Sequence, residues 1–351
     1  MRDEIDARLR VLLAEPGPSR EPVAVAGQGR SCPLAYRYRP DDLAGPAGFD
    51  CPTLYVVGGL YGNTAALSAI LEHAGQEPTP PEIVFNGDFH YFDADPDAFA
   101  AIADGVFGHR ATLGNVEYAL NSPDSGLGCG CDYPDYVCET VVENSNAIVE
   151  RLRDTARAFP DHLGRLAELP RHLTVEVAGQ RVGIVHGDPE SLAGWRLALE
   201  AMVPGDQAVR ERTGWTGPAT SAATLADWFR RCQIDVLAST HTGLPYAQDI
   251  TVDDRPRLVI NNGAAGLGNF NDGAYGVLTR ISADTRPPPD SLYGRVLGGL
   301  RCDAIPVRYD LPRAVTGFLT TWPVGSPAHS SYFDRLRRGT ELDLTQAIRL
   351  G

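Results

Sequence analysis

Leu54-Tyr-Val-Val-Gly-Gly-Leu-Tyr-Gly-Asn63 decides how the chain is read: an apolar run of strand length passes straight into a glycine-bent turn, and helical spacing follows from Thr64. In α/β proteins, the loop at the carboxyl end of a parallel strand is where chemistry is placed. This loop offers no carboxylate and no imidazole, only Gly58, Gly59, Tyr61 and Asn63.

The same rhythm continues outward. A helix over residues 64–73 precedes a strand at 83–85 that ends in Asn86-Gly87-Asp88, and a helix over 98–103 precedes a strand at 111–113 ending in Gly114-Asn115. Two successive βα units predict a layered α/β fold. Residues 141–159 read as a long amphipathic helix ended by Pro160. Residues 173–177 and 181–185 read as a hairpin whose second arm ends in His186-Gly187-Asp188. Further on, residues 224–231 are predicted helical. A strand at 235–239 ends in Thr240-His241-Thr242-Gly243, and another at 258–261 ends in Asn262-Gly263.

The flanks divide the chain into three. Residues 1–52 form an N-terminal extension with a helix over 1–13, a Pro/Gly-rich linker and a short strand at 34–38; residues 53–280 form the core domain. Residues 281–351 form a C-terminal extension with a helix at 330–338, expected to cover the site or to build a subunit interface, so that a homo-oligomer is one expectation.

Composition bounds the function. With 351 residues and 43% hydrophobic content the chain can bury a sizeable core. The net charge is −14, every basic residue is arginine, and no stretch gathers them on one face, which argues against nucleic acid as a partner. No apolar run is long enough to span a membrane and no leader is evident, so a cytoplasmic location and a small-molecule substrate are expected. Seven cysteines are an odd number, too sparse for a disulfide framework.

The polar residues at the predicted strand ends are Asp88, Asn115, His186 and His241. One carboxylate oxygen, one amide oxygen and two imidazole nitrogens suit a borderline divalent metal such as Fe, Mn or Zn. Each residue alone reads better as a turn or hydrogen-bonded core residue; four such residues at four strand ends are much less easily read so.

The order Gly87-Asp88, Gly114-Asn115-Val116-Glu117, His186-Gly187 and Thr240-His241-Thr242-Gly243 resembles the calcineurin-like metallophosphoesterases, whose pattern is D-x-H, GD, GNH[DE], H and GHxH. The resemblance covers about residues 53 to 280 and is to a divergent bacterial subgroup. It implies a four-layer αββα sandwich in which Asp88, Asn115, His186 and His241 hold one metal ion. The residues implied for the other ion align with Gly59, Tyr61 and Gly243, and none of these is a ligand. The general acid implied by GNH aligns with Val116. One complete ligand set is kept and the other removed, as in a protein rebuilt for a single ion. The paired clamp of a two-metal hydrolase, with ions about 3.5–4 Å apart, then cannot form.

Further candidates surround this set. Tyr61 either fills the space of the missing ion or acts on substrate; His90 and Asp93 follow Asp88 closely enough to reach the same place. Cys129 and Cys131, with Cys138 seven residues on, form a loop read as buried thiols, a small closed zinc site, or a thiolate ligand or nucleophile. Asn63, Arg110 and Arg196 are candidates to hold an anionic substrate. The sequence therefore points to a metal-dependent enzyme using one divalent transition metal (Fe, Mn or Zn) for hydrolytic or redox chemistry on a small substrate. The competing expectation is a catalytically silent descendant that binds a ligand or partner.

Overall fold

A computed structural model describes residues 27–122 and 125–350, so the helix expected over residues 1–13 lies outside the described residues. In chain order the first half runs β1 (Phe49–Asp50), β2 (Thr53–Val57), α1 (Thr64–Ala74), β3 (Glu82–Asn86), α2 (Pro96–Phe107), β4 (Arg110–Thr112), α3 (Asn115–Asn121), α4 (Glu139–Ala156) and α5 (Pro160–Ala167). There follow β5 (His172–Val177), β6 (Gln180–Val185), α6 (Gln207–Thr213), α7 (Ala222–Cys232), β7 (Val236–Ser239), β8 (Tyr246–Val252), β9 (Arg255–Asn261) and β10 (Gly276–Ser282). The chain closes with β11 (Tyr293–Leu297), β12 (Leu300–Val307), α8 (Leu311–Thr321), α9 (Pro327–Arg338), α10 (Leu344–Ala347) and β13 (Ile348–Arg349).

These strands form two sheets, in the orders β11-β12-β10-β2-β3-β4 and β1-β5-β6-β7-β9-β8-β13. Each holds a parallel run: β2, β3 and β4 at one end of the first, and β6, β7 and β9 in the middle of the second. Strand β2 shows why the sheets stack. All five residues are buried, and alternation sends Leu54 and Val56 into the core between the sheets, with Val84, Val182, Ile184 and Val236. Tyr55 and Val57 face the opposite way, into a second core with Ala66 and Ile70 of α1, Ile102 of α2 and Leu152 of α4. On the far side, Trp228 and Phe229 of α7 close the inter-sheet core from outside the second sheet. The layers are thus helix, sheet, sheet, helix.

This topology turns the strands of both parallel runs toward one edge. The carboxyl ends of β2, β3, β4, β6, β7 and β9 lead into Gly58, Gly87, Gly114, His186, Thr240 and Asn262, and a bridge between Gly59 and Ala264 ties the two sheets together there. The chain beyond residue 281 supplies β11 and β12 to the first sheet and sends α9 back against α4.

Two local expectations are corrected. Residues 34–36 form a 3₁₀ turn that buries Tyr36, with a single bridge from Arg37 to Ser191 in place of a strand. The helix expected over 141–159 is α4, which stops at Ala156, and the Pro160 read only as its end also opens a further helix, α5, because proline lacks only an N–H that the first helical turn leaves unused.

Candidate metal centre

The site is built on tight backbone geometry at the ends of β3 and β4. Gly87 and Asp88 both take positive φ, +72° and +53°. A Cβ on Gly87 would stand 2.6 Å from Cα of Gly114 and from Nδ1 of His186, so only glycine lets these loops close. Glu117, buried on α3, ties them together. Its Oε2 accepts from the Asp88 N–H at 2.8 Å and the Gly114 N–H at 3.1 Å, and its Oε1 accepts from the His90 N–H at 3.2 Å. Burial, and then the nearby Asp88 charge, push the Glu117 carboxyl up to about 7.

Four donor atoms converge above this loop pair. Nδ1 of His186 lies 2.8 Å from the Asn86 carbonyl, which can only accept, so Nδ1 donates there and Nε2 is the nitrogen turned into the cluster. That Nε2 stands 3.1 Å from Oδ1 of Asn115, 3.3 Å from Oδ2 of Asp88 and 3.3 Å from Nδ1 of His241. His241 in turn donates from Nε2 to the Cys131 carbonyl at 3.0 Å, leaving its Nδ1 unprotonated. Asn115 donates from Nδ2 to the Cys129 carbonyl at 3.2 Å, which aims its oxygen inward. Asp88 accepts from the Val116 N–H through Oδ1, leaving Oδ2 for the cluster.

This arrangement fits a divalent cation. Bonds of about 2.0–2.2 Å place neighbouring ligands of a central ion about 3–3.6 Å apart, the spacing seen here. Each imidazole spends its other N–H on a backbone carbonyl, as metal-binding histidines do. Among the described residues Asp88, His186 and His241 are the group of ionisable side chains whose ligand atoms come together, within 4.8 Å of one another. Burial opposes the Asp88 charge, but the His186 ring holds the carboxyl below its ordinary value; Asp88 likewise raises His186 against burial. Burial and the His186 charge press His241 down to about 4, keeping it a neutral donor.

Where a second ion would need ligands, the structure has Tyr61. Its φ is +54°, and the ring folds back over its own loop: a Cβ on Gly59 would meet the Tyr61 Cζ at 2.2 Å and its hydroxyl at 2.6 Å. The same hydroxyl stands 3.3 Å from the point a Cβ on Gly243 would take. The phenol lies between the two positions whose ligands are missing.

The cluster opens into a cavity of about 250 Å³, lined by Tyr61, Asp88, Tyr91, Phe92, Cys131, Tyr133, Trp195, His241, Tyr332 and Arg335 among others. That is below the usual ligand-pocket range of about 300–1,000 Å³ and suits a small molecule. The wall is largely aromatic. The Tyr332 hydroxyl lies 3.1 Å from Oγ of Ser145 and 3.4 Å from the hydroxyls of Tyr91 and Tyr133, while Trp195 donates to the Cys131 carbonyl and stands edge-on to His241. Sequence reading missed Tyr91, Tyr133, Trp195, Tyr332 and Arg335. They lie on four separate stretches with no shared motif, and only the register of α9 against α4 would have pointed to Tyr332.

The remaining candidates divide. Cys131 lines the cavity, its thiol contacts the Asn115 amide, and burial and the adjoining Cys129 push its pKa well up, the direction opposite to that of an activated thiolate. Cys129 is buried and contributes the carbonyl that orients Asn115; Cys138 is exposed at the start of α4, so the three cysteines do not gather into a closed zinc site. His90 does not reach the cavity: it is fully buried, with Nδ1 2.6 Å from Asp93 and its ring stacked on Phe99. Asn63 caps α1, accepting from the Ala65 and Ala66 N–H groups. Arg110 pairs with Glu82 over the Phe49 ring, and Arg196 pairs with Glu190 over the Trp228 ring; neither lines the cavity.

No family model matches the sequence, and no curated protein matches it. Solved structures do. A hypothetical protein from Pyrococcus horikoshii OT3 aligns with a TM-score of 0.52 at 15% identity, covering 82% of this chain and 99% of that one. A metallophosphoesterase from Sphaerobacter thermophilus aligns at 0.48 and 16% identity, with 82% and 99% covered. At these identities the likeness is one of fold.

Proposed function

We propose that the chain, which shares the fold of the Pyrococcus horikoshii protein, is a calcineurin-like metallophosphoesterase that works as a metal-dependent hydrolase of a small anionic substrate with one divalent ion, Fe, Mn or Zn. The observation that carries this reading is the convergence of Oδ2 of Asp88, Oδ1 of Asn115, Nε2 of His186 and Nδ1 of His241, the four atoms such an ion would take as ligands. When bound, one such ion lowers the pKa of a bound water from about 15.7 toward about 7 and polarises a substrate oxygen.

The chain's own residues do the rest. Backbone carbonyls of Asn86 and Cys131 fix both imidazoles by their N–H groups, so the ligands are oriented before the ion arrives. Glu117 holds Asp88 and Gly114 in register. The aromatic wall limits solvent and substrate size, and burial raises the Tyr61 phenol, which stays protonated and serves as a hydrogen-bond donor rather than a base.

The test is metal analysis of protein reloaded with Fe, Mn or Zn, coupled to hydrolysis assays on small phosphomonoesters and phosphodiesters. About one ion per chain, with turnover following occupancy, is expected. Turnover that requires two ions per chain, or protein that takes up no ion, would overturn the proposal.

A further inference from the structure

Arg335 on α9 reaches the cavity from 92 residues beyond Gly243. Its Nε donates to the Gly268 carbonyl at 3.0 Å and its Nη2 to the Gly243 carbonyl at 2.6 Å. Two of the five guanidinium N–H groups are thereby spent on fixing its plane. Nη1 has no hydrogen-bond partner among the described residues, and Arg335 makes no ion pair with any described carboxylate, in a chain of net charge −14. A cation set into a partly closed site is costly unless it meets an anion. The Tyr61 hydroxyl has no hydrogen-bond partner among the described residues either.

These two free donors meet at one place. The Tyr61 hydroxyl is 3.3 Å, Arg335 Nη2 3.5 Å and Nη1 3.7 Å from the point where a Gly243 side chain would begin. Both residues line the cavity that holds Asp88 and His241. A planar guanidinium presenting parallel N–H groups matches the oxygens of a tetrahedral oxyanion.

We propose that Arg335 and Tyr61 form a built oxyanion subsite, in which the guanidinium supplies the second positive charge beside the single ion and holds a phosphate-type anion between them. The inference rests on the one-ion reading above and deepens it: it names the substrate class as a phosphate group on a small body and the residues that grip it. Gly243 is part of the device, since its carbonyl clamps Arg335 and the absence of a side chain leaves room for the phenol and the guanidinium together.

Titrating inorganic phosphate into metal-loaded protein by calorimetry, with metal content measured on the same samples, tests it on wild type, Arg335→Gln, Arg335→Lys and Tyr61→Phe. Phosphate binding should weaken about 10- to 100-fold in Arg335→Gln and about 3- to 10-fold in Tyr61→Phe, with the ion still bound. Arg335→Lys should weaken it by at least about 3-fold, because an ammonium cannot serve two carbonyls and an anion in the guanidinium's plane. Should Arg335→Gln fail to fold, the other two variants decide the matter. Folded, metal-loaded variants whose phosphate affinity stays within about 2-fold of wild type overturn the subsite alone, as does metal-loaded wild type that binds no phosphate. Wild type that takes up no metal overturns the one-ion reading and the subsite with it.

Discussion

Nδ1 of His241 lies 3.3 Å from Nε2 of His186, while the other nitrogen of each ring donates to a backbone carbonyl. Two ring nitrogens fixed so and turned toward each other suit a cation bound between them. Replacing His241 by Ala removes one donor without touching the other three, and metal affinity is expected to fall at least about 100-fold in a competition titration against a chromophoric chelator. An affinity within about threefold of wild type would show that His241 is no ligand.

Tyr61 and Gly59 share one space. A Cβ on Gly59 would overlap the Tyr61 ring, so Gly59→Ala should destabilise the fold by about 1–3 kcal/mol in chemical denaturation. In the Tyr61→Ala background the same change should cost at least about 1 kcal/mol less. Strict additivity of the two substitutions would remove the claim that the phenol occupies the vacated position.

Away from the site, Glu77 accepts from Arg280 Nε at 2.5 Å and from the Tyr55 hydroxyl at 2.8 Å, and the pair is nearly buried. Burial raises the Glu77 carboxyl, but the hydrogen bonds from Arg280 and Tyr55 and the Arg280 charge together outweigh it and leave the pKa below the ordinary 4.5. The folded chain therefore gives up this proton more readily than the unfolded one. The stability this pair contributes is complete above about pH 4.5 and is lost as pH falls through the lower folded value. Glu77→Gln should be about 1–3 kcal/mol less stable at neutral pH and should show a flatter decline below pH 4.5 in thermal melts. An unchanged acid limb would refute this.

The cysteines should differ sharply in reactivity. Cys138 is exposed and its thiol is lowered by the Thr140 backbone N–H at the start of α4, whereas Cys131 is buried and raised. Brief treatment with iodoacetamide near neutral pH should alkylate Cys138 well before Cys129 or Cys131, as read by peptide mass spectrometry. Rapid labelling of Cys131 in the folded protein would contradict the closed loop described here.

Much of the site was legible before any coordinates. Strands β2, β3, β6, β7 and β9 are short apolar runs ending in polar or glycine residues, so period and punctuation located their ends and the residues just after them. Asp88, Asn115, His186 and His241 follow directly. The start of α5 at Pro160 was not legible, because a proline after a long helical pattern signals an end or a new first turn with the same residue. Arg110 and Arg196 were offered to an anion on charge alone; their actual partners, Glu82 and Glu190, depend on strand register and loop path.

The sequence by itself determined the layered fold, the meeting of Asp88, Asn115, His186 and His241 at strand ends and the want of a carboxylate or imidazole at Gly59, Tyr61 and Gly243, since each is a matter of residue type at a strand end. Only the tertiary structure decided what took their place. The Tyr61 ring covers Gly59 because its backbone adopts a left-handed φ, a choice no spacing reveals. Arg335 arrives from a helix 92 positions away and is held by carbonyls of Gly243 and Gly268, groups every residue possesses. Contacts made through backbone atoms across such a separation leave no mark on residue type, and it is these contacts that turned an empty half-site into a positively charged one.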